Sequence, residues 1–283
     1  MRKVAIVTVH GIGMQTADYA NNFFKKITKE MNKLDEDIEV QCFACLWKTA
    51  VGPVEDELAE RIFEEGPKWK LLRDFMIHFV GDALAYQIPS VGGAFKPLVY
   101  PRLGVQPDSP RVEAYEDIHQ RLDATLSMAQ QWLGDDPNGE LVIVAHSLGT
   151  IVANNFIWDA THPDSDGAKA FGASDEAKAA LKKLWLLVTL GSPLALWSLQ
   201  WENQGHSIAV QNWLNIWCPS DIIAYPIGSI NAEDAFDCGY EDVRMYVGGP
   251  LTFWNPASHV MYMGSMRVIR MIVDRICFGC DNY

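Results

Sequence analysis

The stretch VIVAHSLGT, residues 142–150, places a serine hydroxyl directly after an apolar run. A short run rich in β-branched residues indicates a buried strand, and Leu148 and Gly149 then begin a helical pattern. Ser147 at this junction is either the cap of that helix or a nucleophile, because serine is used in both ways. A strand–serine–helix turn requires small residues two positions before and two positions after the serine. Ala145 and Gly149 are both small, so we predict that Ser147 is a nucleophile.

A serine hydroxyl needs a general base to take its proton, and that base needs a carboxylate to orient it. After a strand–serine–helix turn these groups follow in the order Ser, Asp or Glu, His. Three histidines follow Ser147 in the chain. His162 lies in a polar loop too close behind the serine, and His206 precedes a strand. His259, in NPASHVMYM, follows the last predicted strand, so we predict that it is the base and not only a polar residue at a helix start.

The candidate acid is Asp221, in the segment IWCPSDIIAYP. It comes three residues after the end of a predicted strand, where side chains of a parallel sheet converge on a site. Its rivals lie in the segment NAEDAFDCGYED, which is typical of a solvated loop; they are Glu233, Asp234, Asp237 and Glu241. We therefore predict a triad of Ser147, Asp221 and His259.

Acyl transfer also needs backbone N–H groups directed at the oxygen that becomes negatively charged. The residue after the nucleophile, Leu148, is expected to supply one of them. The loop VHGIG follows the first predicted strand, and its glycines allow a close approach of backbone to substrate. We assign the second donor to Ile12, with Gly13 as the alternative. His10, Gly11 and Gly13 complete this oxyanion loop, and His10 is expected to brace it by hydrogen bonds.

These residues require a parallel sheet to bring them together. Strand and helix patterns alternate along the chain, which indicates βαβ crossovers and an α/β fold with helices on both faces of the sheet. No linker or repeat divides residues 1–283, so we expect a single domain. Strands are predicted at 4–9, 38–47, 141–147, from 184, at 210–218 and at 243–249, and helices at 20–34, 111–133, from about 149 and from 260 to near the C-terminus.

Residues 50–110 interrupt the alternation with two helical patterns and a stretch rich in Gly and Pro. This insertion leaves the carboxyl end of a strand, on the side where ligands bind in open α/β sheets. It is expected either to cover the site as a helical cap or to decorate the domain elsewhere.

The composition excludes several classes of partner. A net charge of −13 makes nucleic acids and anionic membrane surfaces poor default partners. No stretch approaches the roughly 18 apolar residues of a membrane span, and the N-terminus lacks a signal-peptide pattern, so we expect a cytoplasmic location. The pairs Cys42–Cys45 and Cys277–Cys280 have zinc-like spacing. The first pair lies in a predicted strand, where positions three apart face opposite sides, so we expect free thiols and no metal.

Together, the segments VHGIG, AHSLG, TLGSP, CPSDIIAY and ASHVMY resemble the lipase and esterase branch of the α/β-hydrolase superfamily. The resemblance runs from residue 4 to the C-terminal helix and omits residues 50–110. It departs from the usual pattern at Ala145, where glycine is usual, a variant that also occurs in some small lipases of this fold. It implies a serine hydrolase without metal or cofactor that works through an acyl-enzyme. The chain would begin at the third strand of the full fold, without the first two.

A substrate pocket is expected beside Ser147. Leu194, Trp197 and Trp201 share one face of a helical pattern after a strand, on the site's side of the sheet. In the insertion, Phe75 and Phe79 share an apolar face with Trp69, Leu72 and Tyr86. Either set is a pocket wall or ordinary core. We predict a small-molecule ester with an apolar acyl group, and the alternatives are a thioesterase, an acyltransferase or a non-catalytic binding protein of the same fold.

Overall fold

The computed structural model describes residues 2–11, 15–16, 18–35, 37–47, 59–64, 111–198, 210–228, 239–250 and 256–279, with the single positions 66, 68, 70, 73, 77, 86, 208, 252 and 254. Its centre is a six-stranded sheet in which every pair of neighbours is parallel, in the order β2-β1-β3-β4-β5-β6. The strands are β1 (Arg2–Val9), β2 (Ile38–Cys45), β3 (Glu140–His146), β4 (Leu184–Leu190), β5 (Asn212–Trp217) and β6 (Gly239–Arg244).

Helices cover both faces of this sheet, so the predicted α/β class with a parallel central sheet is confirmed. They are α1 (Asn21–Leu34), α2 (Arg111–Leu133), α3 (Leu148–Thr161), α4 (Asp166–Ala170), α5 (Asp175–Leu181), α6 (Leu194–Trp197) and α7 (Met266–Phe278). Two 3₁₀ turns, Pro256–Val260 and Tyr262–Gly264, precede α7.

The alternation of side chains along the strands builds two separate cores. In β1, Ala5 and Val7 point into the core beneath α2 and α3, while Val4 and Ile6 point into the core beneath α1 and α7. β3 is buried on both sides from Leu141 to Ala145. Each such Val or Ile side chain stabilises the fold by about 1.5–3 kcal/mol, which explains why the central strands are continuous apolar runs.

The order of the strands creates a crevice beside β1. The chain passes from β1 to β2 on one side and then returns to β3 on the other side of β1. Loops leaving the carboxyl ends of β1 and β3 therefore diverge, and ligands bind at such a switch point in open α/β sheets. His10 and Gly11 follow β1, and Ser147 follows β3, so these three residues lie at the crevice.

The structure corrects the bounds of the last elements. β6 spans Gly239–Arg244 and not 243–249, because Tyr240 to Arg244 pair with Trp213 to Trp217 of β5. α7 begins at Met266, and the expected helix start near residue 260 is instead a pair of 3₁₀ turns. The first of these turns contains His259, which therefore lies seven residues before the last helix and not at its start.

Most of the insertion at 50–110 falls outside the described residues, although residues 59–64 are helical. Whether the insertion acts as a cap therefore stays a prediction. In the described ranges no helix combines the length and the apolar character needed to cross a bilayer.

Candidate active site

Ser147 occupies a strained turn between β3 and α3. Its backbone has φ 53° and ψ −129°, and among the described residues it is the only one other than glycine with a positive φ. The turn is held by the Ser147 N–H, which donates to the carbonyl of Leu190 at 2.9 Å. Such backbone strain persists only where the surrounding structure enforces it, and it is concentrated at functional sites.

The packing around the turn explains the small residue at position 149. A Cβ on Gly149 would lie 2.3 Å from the carbonyl oxygen of His10 and 2.5 Å from that of Val9. No side chain fits at such distances, so α3 can start against the end of β1 only with glycine here. Ala145, two residues before the serine, is completely buried.

The three predicted catalytic side chains meet in one chain of contacts. Ser147 Oγ lies 2.7 Å from His259 Nε2, and His259 Nδ1 lies 2.8 Å from Asp221 Oδ2. A carboxylate only accepts hydrogen bonds, so Nδ1 carries the proton and Nε2 is left to accept from the serine hydroxyl. This arrangement can remove the hydroxyl proton as Oγ attacks an electrophilic carbon.

Asp221 is positioned by the loop that follows β5 and by an aromatic hydroxyl. Its side chain is fully buried, and its Oδ1 accepts from the N–H of Ile223 at 3.0 Å. Its Oδ2 accepts a second hydrogen bond, from the hydroxyl of Tyr262 at 2.8 Å. A buried carboxylate is stable only when its oxygens are paired in this way.

Three neighbours of these side chains escaped the sequence reasoning. Tyr262 contacts Asp221, His146 Nε2 lies 2.7 Å from the carbonyl of His259, and a Cβ on Gly191 would lie 2.8 Å from the Tyr262 ring. Tyr262 carried one available signal: it follows His259 by three residues, and side chains at this spacing lie on the same side of consecutive 3₁₀ turns.

The loop after β1 approaches the serine closely. A Cβ on Gly11 would lie 2.6 Å from the Cβ of Ser147, so only glycine fits. His10 Nδ1 lies 2.6 Å from the carbonyl of Gly11, its Nε2 accepts from the N–H of Trp47 at 3.1 Å, and its ring stacks on Trp47. Burial lowers the pKa of His10 to about 4, so the ring is neutral and serves as a brace of this loop.

Only part of the expected oxyanion site is described. Leu148 is the first residue of α3, and the first N–H groups of a helix have no acceptor within it, so its N–H is available to a ligand. The other assigned donor, Ile12, and its alternative Gly13 lie outside the described residues.

The expected pocket residues are also only partly described. Trp197 and Leu194 are buried in the core that contains α3. Phe75, Phe79 and Trp201 lie outside the described residues. Tyr86, the described member of the expected cap face, is buried with its hydroxyl 2.7 Å from His119 Nε2 of α2.

The cysteines of β2 face different cores, as the strand pattern predicts. Cys45 lies in the core beneath α2, while Cys42 packs against the core beneath α1 and α7. Across the part of the chain that the structure describes, no three His, Cys, Asp or Glu side chains are grouped as a metal site.

Comparisons with known proteins add little to this geometry. No protein-family model matches the sequence, and no curated protein matches it. Among solved structures, an iodinated complex of acetyl xylan esterase is similar at 10% sequence identity, covering 95% of this chain and 98% of that chain, with a TM-score of 0.34. A similarity of this size carries no conclusion about activity, so function has to be inferred from the site itself.

Proposed function

We propose that the protein is a serine hydrolase that cleaves carboxylic esters through an acyl-enzyme intermediate. In this proposal Ser147 is the nucleophile, His259 the general base and acid, and Asp221 the residue that orients the imidazole and stabilises its cationic form. The backbone N–H groups of Leu148 and Ile12 would receive the oxyanion.

The observation that carries the proposal is the continuous set of contacts from Ser147 Oγ through both ring nitrogens of His259 to Asp221. The two distances, 2.7 Å and 2.8 Å, are those of a nucleophile paired with its base and a base paired with its carboxylate. The positive φ of Ser147 supports the same proposal, because a residue that only caps a helix has no need of that strain.

An ester with an apolar acyl group is the proposed substrate. The buried side chains of Leu194 and Trp197 follow β4 at the carboxyl end of the sheet, the same edge at which Ser147 lies. Phe75, Phe79 and Trp201 complete the proposed pocket. No cofactor or metal is part of the proposed reaction, because the imidazole and the backbone N–H groups supply the base and the electrostatic stabilisation.

The decisive experiment is labelling with a fluorophosphonate probe, which phosphonylates only a serine whose hydroxyl is activated. The wild-type protein is expected to be labelled at one site, and Ser147→Ala is expected to lose both the label and the turnover of a p-nitrophenyl ester. Ser127→Ala is the matched control, because Ser127 lies on α2 beside Ser174, away from the triad contacts. Full labelling of Ser147→Ala would refute the proposal.

The acyl-enzyme step has a separate test. Mixing the wild-type protein with excess p-nitrophenyl ester is expected to release nitrophenol in a burst of about one equivalent before the steady state, if deacylation is the slower step. Mass spectrometry of the quenched reaction is expected to locate the acyl group on the peptide that contains Ser147.

A cytoplasmic location is also part of the proposal. The described cysteines Cys42, Cys45, Cys218 and Cys277 are free thiols, which supports a reducing compartment.

A further inference from the structure

Tyr262 lies where it contacts the acid of the proposed triad and the strand that carries that acid. Its hydroxyl accepts from the backbone N–H of Cys218 at 2.9 Å and donates to Asp221 Oδ2 at 2.8 Å. Cys218 directly follows β5, so its N–H is fixed by the sheet. Because the hydroxyl oxygen of Tyr262 already accepts from this N–H, the hydroxyl proton is directed at the Asp221 carboxylate.

The same carboxylate oxygen receives two hydrogen bonds. Asp221 Oδ2 accepts from Tyr262 and from His259 Nδ1, while Oδ1 accepts from the N–H of Ile223. These contacts fix the carboxylate against rotation about its last bond, because each oxygen already has a partner. The plane in which the His259 ring must lie is thereby determined in part by Tyr262.

Close packing holds the Tyr262 ring in one position. Tyr262 is fully buried, and a Cβ on Gly191 would lie 2.8 Å from its Cε2 atom. Burial and the neighbouring Asp221 raise the pKa of the Tyr262 hydroxyl well above its ordinary value. The hydroxyl therefore stays protonated and remains a donor across the working range of pH.

We propose that Tyr262 is a positioning residue of the triad, which holds the Asp221 carboxylate in the orientation that His259 requires and tempers its negative charge. This inference rests on the proposed function. It assigns to Tyr262 an effect on the reaction that is exerted through Asp221 and not through contact with the substrate.

The test is Tyr262→Phe, which removes the hydroxyl and keeps the ring. We expect kcat to fall about 10-fold with little change in KM, the size expected for the loss of one hydrogen bond to a charged group. We also expect the low-pH limb of the kcat/KM profile to move up by about half a pH unit, because a carboxylate that has lost one donor favours the protonated imidazole more strongly. A purely structural role predicts a lower melting temperature with the profile unmoved.

A matched control exists in the same chain. Tyr115 is also buried, and its hydroxyl donates to the carboxylate of Asp159 at 2.5 Å, at the far end of α3 from Ser147. Tyr115→Phe is expected to lower thermal stability and to leave the pH profile unchanged.

Tyr262→Phe removes the donor to Asp221 and also leaves the Cys218 N–H without its acceptor. The double variant of Tyr262→Phe with Asp221→Asn separates the effect at the carboxylate from the effect at this N–H. Adding Tyr262→Phe to Asp221→Asn should cost no further activity if Tyr262 acts through the carboxylate.

Failure of this inference and failure of the proposed function give different results. Fluorophosphonate labelling and ester turnover of the wild type test the function alone. The contact is tested without turnover by ¹⁵N NMR of the histidine side chains, in which the titration of His259 should move to higher pH in Tyr262→Phe and stay unmoved in Tyr115→Phe. Wild-type kcat, an unmoved pH profile and an unmoved His259 titration in Tyr262→Phe would overturn the inference.

Discussion

His146 Nε2 donates a hydrogen bond to the carbonyl oxygen of His259 at 2.7 Å, across 113 residues of sequence. The two rings also pack against each other, with their centroids 5.0 Å apart. Desolvation and the neighbouring His259 lower the pKa of His146 to about 3, so the ring is neutral. Because a carbonyl can only accept, the single ring proton lies on Nε2. The residue before the proposed nucleophile thus holds the backbone of the proposed base.

Replacing His146 by phenylalanine tests this relationship. The ring contact with His259 remains, but the carbonyl of His259 loses its donor, so we expect kcat to fall about 10-fold. Steady-state kinetics on an activated ester provide the measurement, with His119→Phe as the control. His119 is a buried histidine on α2 whose Nε2 contacts Tyr86, so its replacement should lower the melting temperature and spare kcat. Equal kcat values for His146→Phe and His119→Phe would show that the hydrogen bond from His146 to the His259 carbonyl does not affect turnover.

A comparison of Gly191 with Gly134 separates the effect of backbone strain from the effect of crowding at the site. Both have positive φ, 58° and 60°. A Cβ on Gly134 meets nothing within 4 Å, whereas one on Gly191 lies 2.8 Å from the Tyr262 ring and 3.1 Å from Asp221 Oδ2.

Gly134→Ala should therefore cost only the strain of a left-handed residue, about 1–2 kcal/mol of stability. Gly191→Ala should cost more and should also lower ester turnover, because it displaces Tyr262 and Asp221. Urea unfolding and kcat of both variants are the measurements. Turnover that is equally reduced in both would contradict this account of Gly191.

Elements with a regular pattern of apolar residues could be predicted well from the sequence. The pattern of apolar residues predicts α2 at 111–133, which agrees with the observed helix Arg111–Leu133. The same pattern places β6 too late in the chain, because β6 is the last strand of the described sheet and its sequence, GYEDVR, is mostly polar. Its polar residues have partners that a periodicity cannot reveal: Asp242 Oδ1 accepts from the side chain of Asn215 at 2.6 Å.

The residues of the candidate site also differ in how well the sequence predicts them. The turn at Ser147 is marked by small residues two positions before and two positions after the serine, so local sequence predicts it. Chain order is enough to choose Asp221 and His259, which the structure brings together. His146 and Tyr262 act through contacts to a backbone carbonyl and to a carboxylate oxygen that are distant in sequence. The partners in these contacts depend on how β3, β5 and the 3₁₀ turns are placed in space. The three-residue spacing of His259 and Tyr262 indicates a shared side but does not identify Asp221 as the partner.

Three neutral histidines should make the protein sensitive to acid. Burial lowers the pKa of His10 to about 4 and that of His119 to about 3, and the pKa of His146 is about 3. Their ordinary value is 6.5, so between about pH 6.5 and pH 4 the unfolded chain binds protons that the folded chain does not. Stability from these groups is present above pH 6.5 and is lost as the pH falls.

With three such protons the free energy of unfolding should fall by as much as roughly 4 kcal/mol per pH unit near pH 5. Urea unfolding midpoints from pH 7 to pH 4 provide the measurement. His119→Phe should reduce this slope by the contribution of about one proton, because one of the three titrating groups is removed. An unchanged slope in that variant would show that His119 is already protonated in the folded state or is exposed.

The proposed acyl pocket is tested by chain-length preference. Phe75→Ala and Phe79→Ala should each shift the ratio of kcat/KM between short and long acyl esters, by about 1–3 kcal/mol per lost pocket contact. Tyr86→Phe is the contrasting variant, since the Tyr86 hydroxyl contacts His119 and its ring stacks on Tyr115 within the core beneath α2. It should lower the melting temperature and leave the ratio unchanged. If Phe75→Ala and Phe79→Ala behave like Tyr86→Phe, with reduced stability and an unaltered ratio, the insertion at 50–110 serves packing and the acyl group binds elsewhere.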